Sequence, residues 1–335
     1  MITLNDISIL IVSAVKDFHR VESVYNHIRK QYPNNEIVIV YDNINKMLLP
    51  VNDNNLIQIP TTERVYVSKG YNIAIKNSTK KAFVFLHDDT YTAPEFLENL
   101  LPHIAPNIFC NFVTIEPPIF GDLDTIYKPI KDLGLNSREF SKEKLDSFYY
   151  EHIKKITNIT EPSIYGGFFM AGYKESFLSV GGFDEDFQPY FFEDSDLMIR
   201  LNLAGYKFLF ILNSIVYHIG SQTSRGTEES IIAHNTTSQI FLKKWKTTFD
   251  YFKQYSMLNN LKYTKPKVLI EKINCNDELS SFLELFNEPE GDLILKIDGS
   301  KINQQEIEYI FQLPYIIDNI DENGTYMLGT LQIIK

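Results

Sequence analysis

The sequence predicts an α/β fold in which a mixed, mostly parallel β-sheet carries helices on both faces. Over about the first 117 residues, short apolar runs of strand length alternate with segments of helical periodicity. Apolar residues fill nearly every position of these runs, as is typical of parallel strands, because helices bury both faces of such a sheet. With 335 residues, the chain is long enough for one large domain or two smaller ones.

The predicted elements follow one another regularly up to residue 117. Strands are predicted at 7–12, 36–42, 56–60, 82–88 and 108–117. Helices are predicted at about 17–31, 66–78 and 94–102, and Pro94 suits the first turn of the last one. Ser13, Asp42 and residues 87–89 each come at the end of a strand. We expect them on one rim, because ligands of parallel sheets bind outside the carboxyl ends of the strands.

The segment 118–163 interrupts this pattern. It is polar and mixed, contains one predicted helix near 141–156, and has the length of an insertion that carries substrate specificity or a partner contact. Regular elements resume within 165–187, where two glycine pairs indicate tight backbone approaches. A helix is then predicted at 193–205, a strand at 207–218 and helical structure at 228–255.

The pattern of predicted elements changes beyond about residue 257. Strands are predicted within "KPKVLIEKI", "GDLILKIDG" and "TYMLGTLQII", and helices within "DELSSFLELF" and "NQQEIEYIFQL". We therefore predict a main domain over residues 1–256, which includes the insertion at about 118–163. A small α/β C-terminal domain of unknown role is predicted over residues 257–335. It could dock a partner, a second copy of the chain or an acceptor carrier, and its composition is compatible with all three.

Composition and charge argue against several classes of protein. The net charge of −11 disfavours a general nucleic-acid binder, which carries a basic face. Two distant cysteines, Cys110 and Cys275, support neither a disulfide framework nor a cysteine zinc site. The N-terminal apolar run is short and lacks a basic front, and no apolar run approaches the roughly 20 residues of a membrane span. A soluble, cytoplasmic protein without a membrane span is expected.

The first motif with chemical content is "VFLHDDT", in which a buried strand ends in His87, Asp88 and Asp89. Two carboxylates and an imidazole at a strand end suit a divalent cation that bridges to phosphates. The alternative is structural, because Asp89 and Thr90 are also residue types that cap the start of a following helix. Local features alone leave both interpretations open.

The second motif is "YFFEDSDLMIR", which places three acids in the first turn of a predicted helix. Acids are common there because they complement the helix dipole. In the functional interpretation, Glu193 or Asp194 lies behind the aromatic cluster 190–192 and acts as a general base. Burial by aromatic rings would raise the pKa of such a carboxyl, whereas the helix dipole would lower it.

The third motif is "VYHIGSQTSRG". His218 ends a buried strand, and a lone histidine in that position is more often a structural residue than a ligand. The polar residues after it form a plausible phosphate-contacting loop that ends with Arg225. No glycine-rich phosphate loop and no G-x-G-x-x-G follows the first strand, which disfavours ordinary P-loop and dinucleotide-binding proteins.

Taken in order, these stretches resemble the family 2-like glycosyltransferases of GT-A fold over about residues 7–250. The similar segments are "ISILIVSAVKDFHRVESVYNHI", "EIVIVYDN", "VSKGYNIAIKNSTKKAFVFLHDDT", "GGFFMAGYKESFLSVGGFDEDFQPYFFEDSDLMIRLNLAGYK", "VYHIGSQTS" and "FLKKW". Two departures stand out. "SAVKD" replaces the usual P-x-Y-N after the first strand, and His87 occupies the first acidic position of the D-x-D motif.

The resemblance implies an inverting, hexosyltransferase-type enzyme that uses Mn²⁺ or Mg²⁺. The donor would be a nucleotide-sugar, most commonly a UDP-sugar, and the acceptor a hydroxyl group such as that of a glycan. Asp194 would be the catalytic base, Glu193 would hold the acceptor or the donor sugar, and Asp89 and His218 would bind the metal. The nucleotide-sugar would contact Ser13, Asp42, Asn72, Asp88, Gly166, Gly167 and Arg225.

Two alternatives remain at this stage. A nucleotidyltransferase acting on sugar phosphates would use a related fold, but "VSAVKDFHR" lacks the glycine of the usual Arg/Lys-bearing loop. A non-catalytic nucleotide-sugar or glycan-binding module would explain the loss of the first acid of D-x-D, although Asp89, Asp194 and His218 are all present. Self-association into a homo-oligomer is expected to use residues 257–335, if it occurs.

Overall fold

The computed structural model describes the chain in seven ranges: residues 2–14, 18–42, 48–119, 123–163, 167–220, 227–320 and 324–335. The chain divides into two compact units, residues 1–233 and 234–335. This division is earlier than the boundary after residue 256 that the sequence predicts. The extent of the functional domain therefore stays a prediction.

The first unit is built on a mixed sheet, to which the described residues contribute nine strands. In chain order these are β1 (Ile7–Ser13), β2 (Glu36–Tyr41), β3 (Leu56–Pro60), β4 (Ala82–His87), β5 (Thr90–Thr92), β6 (Ile108–Ile115), β7 (Thr160–Pro162), β8 (Met170–Tyr173) and β9 (Lys207–His218). They lie in the order β3-β2-β1-β4-β8-β6-β9-β5, and β7 pairs with β9. Only β5, β7 and β8 run against the common direction. The predicted mixed, mostly parallel sheet is confirmed.

Helices cover both faces of this sheet. In chain order they are α1 (Phe18–Gln31), α2 (Tyr66–Asn77), α3 (Phe96–Leu100), α4 (Lys142–Ile153), α5 (Lys174–Ser179) and α6 (Glu193–Leu203). The next helix, α7 (Glu228–Trp245), contains the point at which the chain divides into its two units. Alternate residues of a strand face opposite sides. On one face, Ile9 of β1 lies in an apolar core together with Val24 of α1. On the other face, Phe85 of β4 packs against Tyr71 of α2 and Phe177 of α5.

The pairing of the strands brings the rim residues together. β1 lies between β2 and β4, with Val12 opposite His87 and Ser13 opposite Tyr41. The residues that follow β2 and β4 therefore flank the end of β1. β5 pairs with the end of β9, so that Thr90 lies opposite His218. The backbone N–H of Ile219 also donates to the carbonyl of Asp89 at 3.1 Å.

One predicted element differs in a way that matters for the site. The sequence predicts no element between the strand at 82–88 and the helix at 94–102, whereas the structure has the short strand β5 there. The helix α3 then begins only at Phe96. Glu95 precedes α3 with a left-handed φ of 57°, which delays the start of the helix. The strand β5, at Thr90–Thr92, lies beside His218. With three residues, it is too short to be recognised from its sequence pattern.

The second unit has its own four-stranded sheet, in the order β10-β11-β13-β12. Its elements are α8 (Phe249–Phe252), a π-helical turn (Lys253–Leu258), β10 (Val268–Ile273), α9 (Asp277–Glu284), β11 (Leu293–Asp298), α10 (Gln304–Ile310), α11 (Leu313–Ile316), β12 (Thr325–Leu328) and β13 (Leu331–Ile334). The predicted strand "TYMLGTLQII" is in fact a hairpin, because Gly329 takes a left-handed φ of 63° between β12 and β13. The elements enclose a separate apolar core around Leu283 and Leu295.

The predicted helical segment 228–255 is interrupted. Lys246 has a left-handed φ of 54°, which ends α7. The hydroxyl of Thr248 then accepts a hydrogen bond from the Tyr251 N–H and caps α8. Throughout the described ranges, no helix combines the length and the apolar character that crossing a membrane requires.

The close packing of β8 makes Gly172 a test of the sheet. A Cβ atom added at Gly172 would lie 2.7 Å from a ring carbon of the buried Phe109. We expect Gly172→Ala to lower the free energy of unfolding by about 1–3 kcal/mol, as other overpacked cores do. Gly167→Ala is the matched control, because its Cβ meets nothing within 4 Å. Urea denaturation of both variants measures the difference, and equal stabilities would contradict this account of the packing.

Candidate active site

A pocket of about 570 Å³ opens at the carboxyl ends of β1, β2 and β4. This is the position that the parallel part of the sheet predicts for a ligand. Five of the site residues predicted from the sequence line it, namely Asp42, Asp88, Asp89, Glu193 and His218. Other lining side chains come from Arg20, Arg64, Tyr66, Tyr71, His87, Phe168, Tyr190, Phe191 and Glu229.

Asp42 closes one side of this pocket. Its carboxylate is buried and accepts hydrogen bonds from the Val65 N–H at 2.5 Å and from Nε of Arg64 at 3.0 Å. The guanidinium of Arg64 in turn lies 4.8 Å from the centre of the Tyr66 ring. Asp42 is therefore held in place by the protein itself. Through Arg64, it also places a guanidinium group and the ring of Tyr66 at the pocket.

Asp88 is neutralised from the side of β1. Its Oδ2 accepts hydrogen bonds from Ser13 Oγ at 2.5 Å and from the guanidinium of Arg20 at 2.7 Å. Burial, together with the neighbouring charge of Asp89, raises the pKa of Asp88, and Arg20 and Ser13 oppose that rise. Ser13 itself does not line the pocket, so the structure gives it a supporting contact with Asp88.

Asp89 faces the other way, toward β9. Its Oδ1 lies 3.3 Å from Nε2 of His218, yet among the described residues it accepts no hydrogen bond of good geometry. Burial raises the pKa of Asp89, but the contact with His218 and the charge of Arg20 together outweigh burial and hold that pKa well below its usual range. Conversely, burial lowers the pKa of His218, but Asp89 and Glu116 outweigh burial and raise it to about 9. At neutral pH the pair is therefore a buried carboxylate beside a protonated imidazole.

His87 is a neutral, packed imidazole. Burial, followed by the charge of His218, lowers the pKa of His87 to about 3. Its ring stacks on Phe168 with centroids 4.2 Å apart, and its Nδ1 lies 3.2 Å from the hydroxyl of Tyr71. Where the family usually has an acid, this chain therefore presents an uncharged ring among aromatic neighbours.

Glu193 and Asp194 begin helix α6 but face different surroundings. Glu193 is 7% exposed and lines the pocket, and its Oε2 has no hydrogen-bond partner among the described residues. Burial, with the charge of Asp194 as a second cause, raises the pKa of Glu193 to about 8. Asp194 is partly exposed and does not line the pocket, and its Oδ1 accepts from the Ser195 N–H at 2.7 Å. Burial also raises the pKa of Asp194.

The backbone before this pair is strained. Phe191 and Phe192 both have left-handed φ values, 80° and 66°, which are unfavourable for residues with bulky side chains. The strained turn places Phe191 at the pocket and starts α6 directly at Glu193. Strain of this kind clusters at functional sites, because the surrounding structure must hold it in place.

The remaining sequence predictions do not meet at the pocket. Asn72 lies on α2. Its side-chain amide donates to the carbonyl of Phe183 and accepts a hydrogen bond from the Phe183 N–H. Its amide also donates to Glu185 at 2.9 Å. Gly167 does not line the pocket, and Gly166 and Arg225 lie outside the described residues. Asn72 therefore anchors the loop before α6 in this structure.

Sequence reasoning missed three charged residues of the site. Arg20 and Arg64 supply guanidinium groups to the pocket, and Glu116 contacts His218 from behind. No local pattern marks Arg20 or Arg64, because each meets its acidic partner only through tertiary contacts, made by helix α1 and by the loop before α2. For Glu116, the one available signal was an acid close to the end of the predicted strand 108–117.

The Asp89–His218 pair fits a divalent cation that takes its other ligands from a substrate. Within the described ranges, no group of three or more His, Cys, Asp or Glu side chains is arranged to hold a metal ion by itself. Mg²⁺ and similar ions commonly bind through one or two side chains plus substrate phosphates. A buried carboxylate oxygen without a hydrogen bond, next to an imidazole, is such a partial site.

Fold and site together define an α/β protein that binds its ligand at the strand ends of a mixed sheet. The family model for glycosyl transferase family 2 matches residues 8–176, about half of the chain. The chain therefore belongs to glycosyl transferase family 2, as the motifs predicted. A second model, the N-terminal domain of galactosyltransferase, matches residues 151–222. No curated protein sequence matches the chain.

Solved structures with the same fold include a crystal structure of GalNAc-T7 with UDP, GalNAc and Mn²⁺. It matches with a TM-score of 0.54 and 15% sequence identity, covering 74% of this chain and 50% of that protein, so this chain spans about half the length of GalNAc-T7. S. aureus TarS 1-349 matches with a TM-score of 0.46, 13% identity and coverage of 75% and 74%. Mannosyltransferase PcManGT from Pyrobaculum calidifontis, in complex with GDP-Man and Mn²⁺, matches with a TM-score of 0.47, 14% identity and coverage of 76% and 68%. The GT-A fold predicted from the sequence is confirmed.

The raised pKa of Glu193 predicts how stability depends on pH. The pKa is about 8 in the folded protein and 4.5 ordinarily, so between these pH values the folded state holds a proton that the unfolded chain has lost. The free energy of unfolding therefore falls as pH rises from 4.5 to 8. Glu193→Gln removes this loss. We expect the variant to gain roughly 2–4 kcal/mol relative to the wild type between pH 5 and pH 8.5.

Urea denaturation at the two pH values measures this change. Glu229→Gln is the control, because Glu229 lines the same pocket but is exposed. If the stability of wild-type protein and of Glu193→Gln changes equally with pH, the carboxyl of Glu193 is not held protonated in the folded state.

Proposed function

We propose that the protein transfers a sugar from a nucleotide-sugar to a hydroxyl group of an acceptor, with Mn²⁺ or Mg²⁺ as cofactor. The observation that carries this proposal is the buried Asp89–His218 pair at the strand ends, in a pocket of about 570 Å³. Membership of glycosyl transferase family 2 supports the reaction class. The pocket volume lies within the range of small-molecule and cofactor sites.

Asp89 and His218 are the side chains that would hold the cation. Asp89 offers a buried carboxylate oxygen without a hydrogen bond, and His218 offers Nε2 on the same side. A bound divalent cation offsets negative charge on the diphosphate leaving group. Asp88 supports this arrangement, because its ion pair with Arg20 leaves Asp89 as the carboxylate that is open to a ligand.

Asp42 is the proposed contact for the base or ribose of the nucleotide. It faces the pocket and brings Arg64 and Tyr66 with it, so a planar ring has an aromatic face and a guanidinium nearby. Asn72 and Ser13 act from behind the pocket, through the loop at Phe183 and through Asp88. Contacts of Gly166, Gly167 and Arg225 with the donor remain predictions from the family resemblance.

The general base belongs to the Glu193–Asp194 pair. The resemblance nominates Asp194, and that role remains a proposal. The geometry favours Glu193, because it lines the pocket with an oxygen that has no hydrogen-bond partner among the described residues. In either case the carboxylate accepts the proton of the acceptor hydroxyl as its oxygen attacks the anomeric carbon. One direct displacement of this kind inverts the anomeric configuration.

A UDP-sugar is the proposed donor. GalNAc-T7, which shares the fold, was solved with UDP, GalNAc and Mn²⁺. The proposed acceptor is a glycan or another molecule with a free hydroxyl group. Cytoplasmic location and self-association through residues 257–335 remain proposals that rest on the sequence alone.

Donor turnover tests the proposed function. With Mn²⁺ and a panel of UDP-sugars, and GDP-mannose for comparison, we expect slow release of nucleoside diphosphate and thermal stabilisation by UDP that requires the metal. Asp89→Asn should lower the metal-dependent release by roughly 100-fold or more, because the Asn side chain lacks the charge that binds the cation.

Glu175→Gln serves as the control, since it removes an exposed carboxyl that does not line the pocket. A wild-type protein that neither binds nor cleaves any of these donors would refute the proposal. Metal-dependent binding of UDP without any release or transfer would identify a binding module instead.

The base is tested by the paired variants Glu193→Gln and Asp194→Asn, once a donor and an acceptor are known. We expect Glu193→Gln to lower kcat by roughly 10²- to 10⁴-fold, as the loss of a general base does, and Asp194→Asn to lower it much less. Affinity for UDP and Mn²⁺ should change little in either variant. The reverse order of effects would assign the base to Asp194.

The stereochemistry of the wild-type product accompanies this comparison. NMR of the anomeric proton should show the configuration opposite to that of the donor. Retention of configuration would exclude the direct displacement, whichever carboxylate accepts the proton.

A further inference from the structure

The insertion at 118–163 returns to the sheet directly behind the candidate metal site. Residues 127–131 run alongside the end of β6: the Glu116 N–H donates to the carbonyl of Pro129 at 3.0 Å, and the Lys131 N–H donates to the carbonyl of Glu116 at 2.9 Å. The Thr114 N–H donates to Tyr127 in the same way. The polar insertion is thus held by backbone hydrogen bonds to the end of β6, the strand that pairs with β9 and His218.

Glu116 lies beside His218 because of an irregularity in the sheet. β6 and β9 run parallel, but their register shifts between Phe112 and Val113, after which Ile115 lies opposite Tyr217. The next residues along the two strands are Glu116 and His218. Without the shift, a different residue of β9 would lie beside Glu116.

The side chains form a continuous line of contacts through the imidazole. Nε2 of His218 is 3.3 Å from Asp89 Oδ1, and Nδ1 of the same ring is 3.5 Å from Glu116 Oε1. The other carboxylate oxygen of Glu116 lies 2.8 Å from Nζ of Lys128. Glu116 is buried, whereas the side chain of Lys128 is about one-third exposed. A buried carboxylate therefore contacts the ring nitrogen that faces away from Asp89.

We propose that Glu116 is a positioning residue for His218, and that Lys128 of the insertion holds Glu116 in place. The proposal rests on the proposed function, in which His218 binds the metal through Nε2. A histidine that binds a metal through one nitrogen commonly donates its other N–H to a carboxylate, which fixes the tautomer and the orientation of the ring. The insertion thereby supports the metal-binding side chain as well as any acceptor contact.

A purely structural ion pair is the competing explanation. Lys128 and Glu116 would then stabilise the insertion, and their loss would lower stability without changing the state of the His218 ring. The two explanations differ in two quantities, the hydrogen bond at Nδ1 of His218 and the affinity for the metal.

The experiment compares Glu116→Gln, Glu116→Ala and Lys128→Met with the wild type. The Nδ1–H signal of His218 is followed by ¹⁵N-resolved NMR of metal-free protein and is assigned by its loss in His218→Ala. Binding of MnCl₂ in the presence of UDP is measured by calorimetry. Glu161→Gln is the matched control, because Glu161 belongs to the same insertion and accepts from Tyr127 at 2.5 Å, without a contact to His218 among the described residues.

Glu116→Ala should abolish the hydrogen-bonded Nδ1–H signal and raise the Kd for Mn²⁺ roughly 10- to 100-fold. Glu116→Gln keeps an oxygen acceptor and should lie between Glu116→Ala and the wild type. Lys128→Met should weaken Mn²⁺ binding a few-fold, and Glu161→Gln should change neither quantity. The graded series separates positioning from a general loss of fold, because Glu116→Gln preserves the shape of the side chain.

An unchanged Nδ1–H signal in Glu116→Ala overturns the proposal, whatever the metal does. Unchanged Mn²⁺ binding in Lys128→Met overturns the role of the insertion. If the wild-type protein binds no Mn²⁺ while the NMR signal depends on Glu116, the proposed metal function fails and the positioning of the ring by Glu116 stands. The two failures are therefore distinguishable.

Discussion

Two adjacent buried carboxylates, Asp88 and Asp89, impose the constraint around which this site is organised. Side by side and out of water, they would repel each other strongly unless each had a separate positive partner. Asp88 turns toward β1 and meets Arg20 and Ser13, whereas Asp89 turns toward β9 and meets His218. The first pairing is closed by hydrogen bonds. The second leaves a carboxylate oxygen that accepts none among the described residues, and so leaves room for a cation.

The sheet supplies these partners through two irregular features. The short strand β5 crosses back to pair with the end of β9, which places His218 next to Asp89. The register shift between β6 and β9 places Glu116 on the other side of the same ring. The insertion forms backbone hydrogen bonds with the end of β6. It is therefore connected, through Glu116 and His218, to the Asp89 end of the D-x-D-like motif.

The pocket as a whole is costly to maintain. Glu193 is buried with its charge disfavoured, two aromatic residues before it are held in left-handed conformations, and His87 is kept neutral among rings. Shifted pKa values and backbone strain are common at functional sites. Both lower stability, so favourable contacts elsewhere in the fold must offset them. Here the large aromatic cluster around Phe85 and the buried strands provide that compensation.

The sequence by itself determined the six parallel strands of the main sheet, the rim that carries Asp42 and Asp89, and the family, because these depend on local periodicity and ordered motifs. It could not show that the amide of Asn72 holds the backbone at Phe183, or that Glu193 lines the pocket whereas its neighbour Asp194 does not. It also missed β5, Arg20, Arg64 and Glu116. Only the tertiary structure decided these points, because packing and strand register bring together residues that are more than a hundred positions apart.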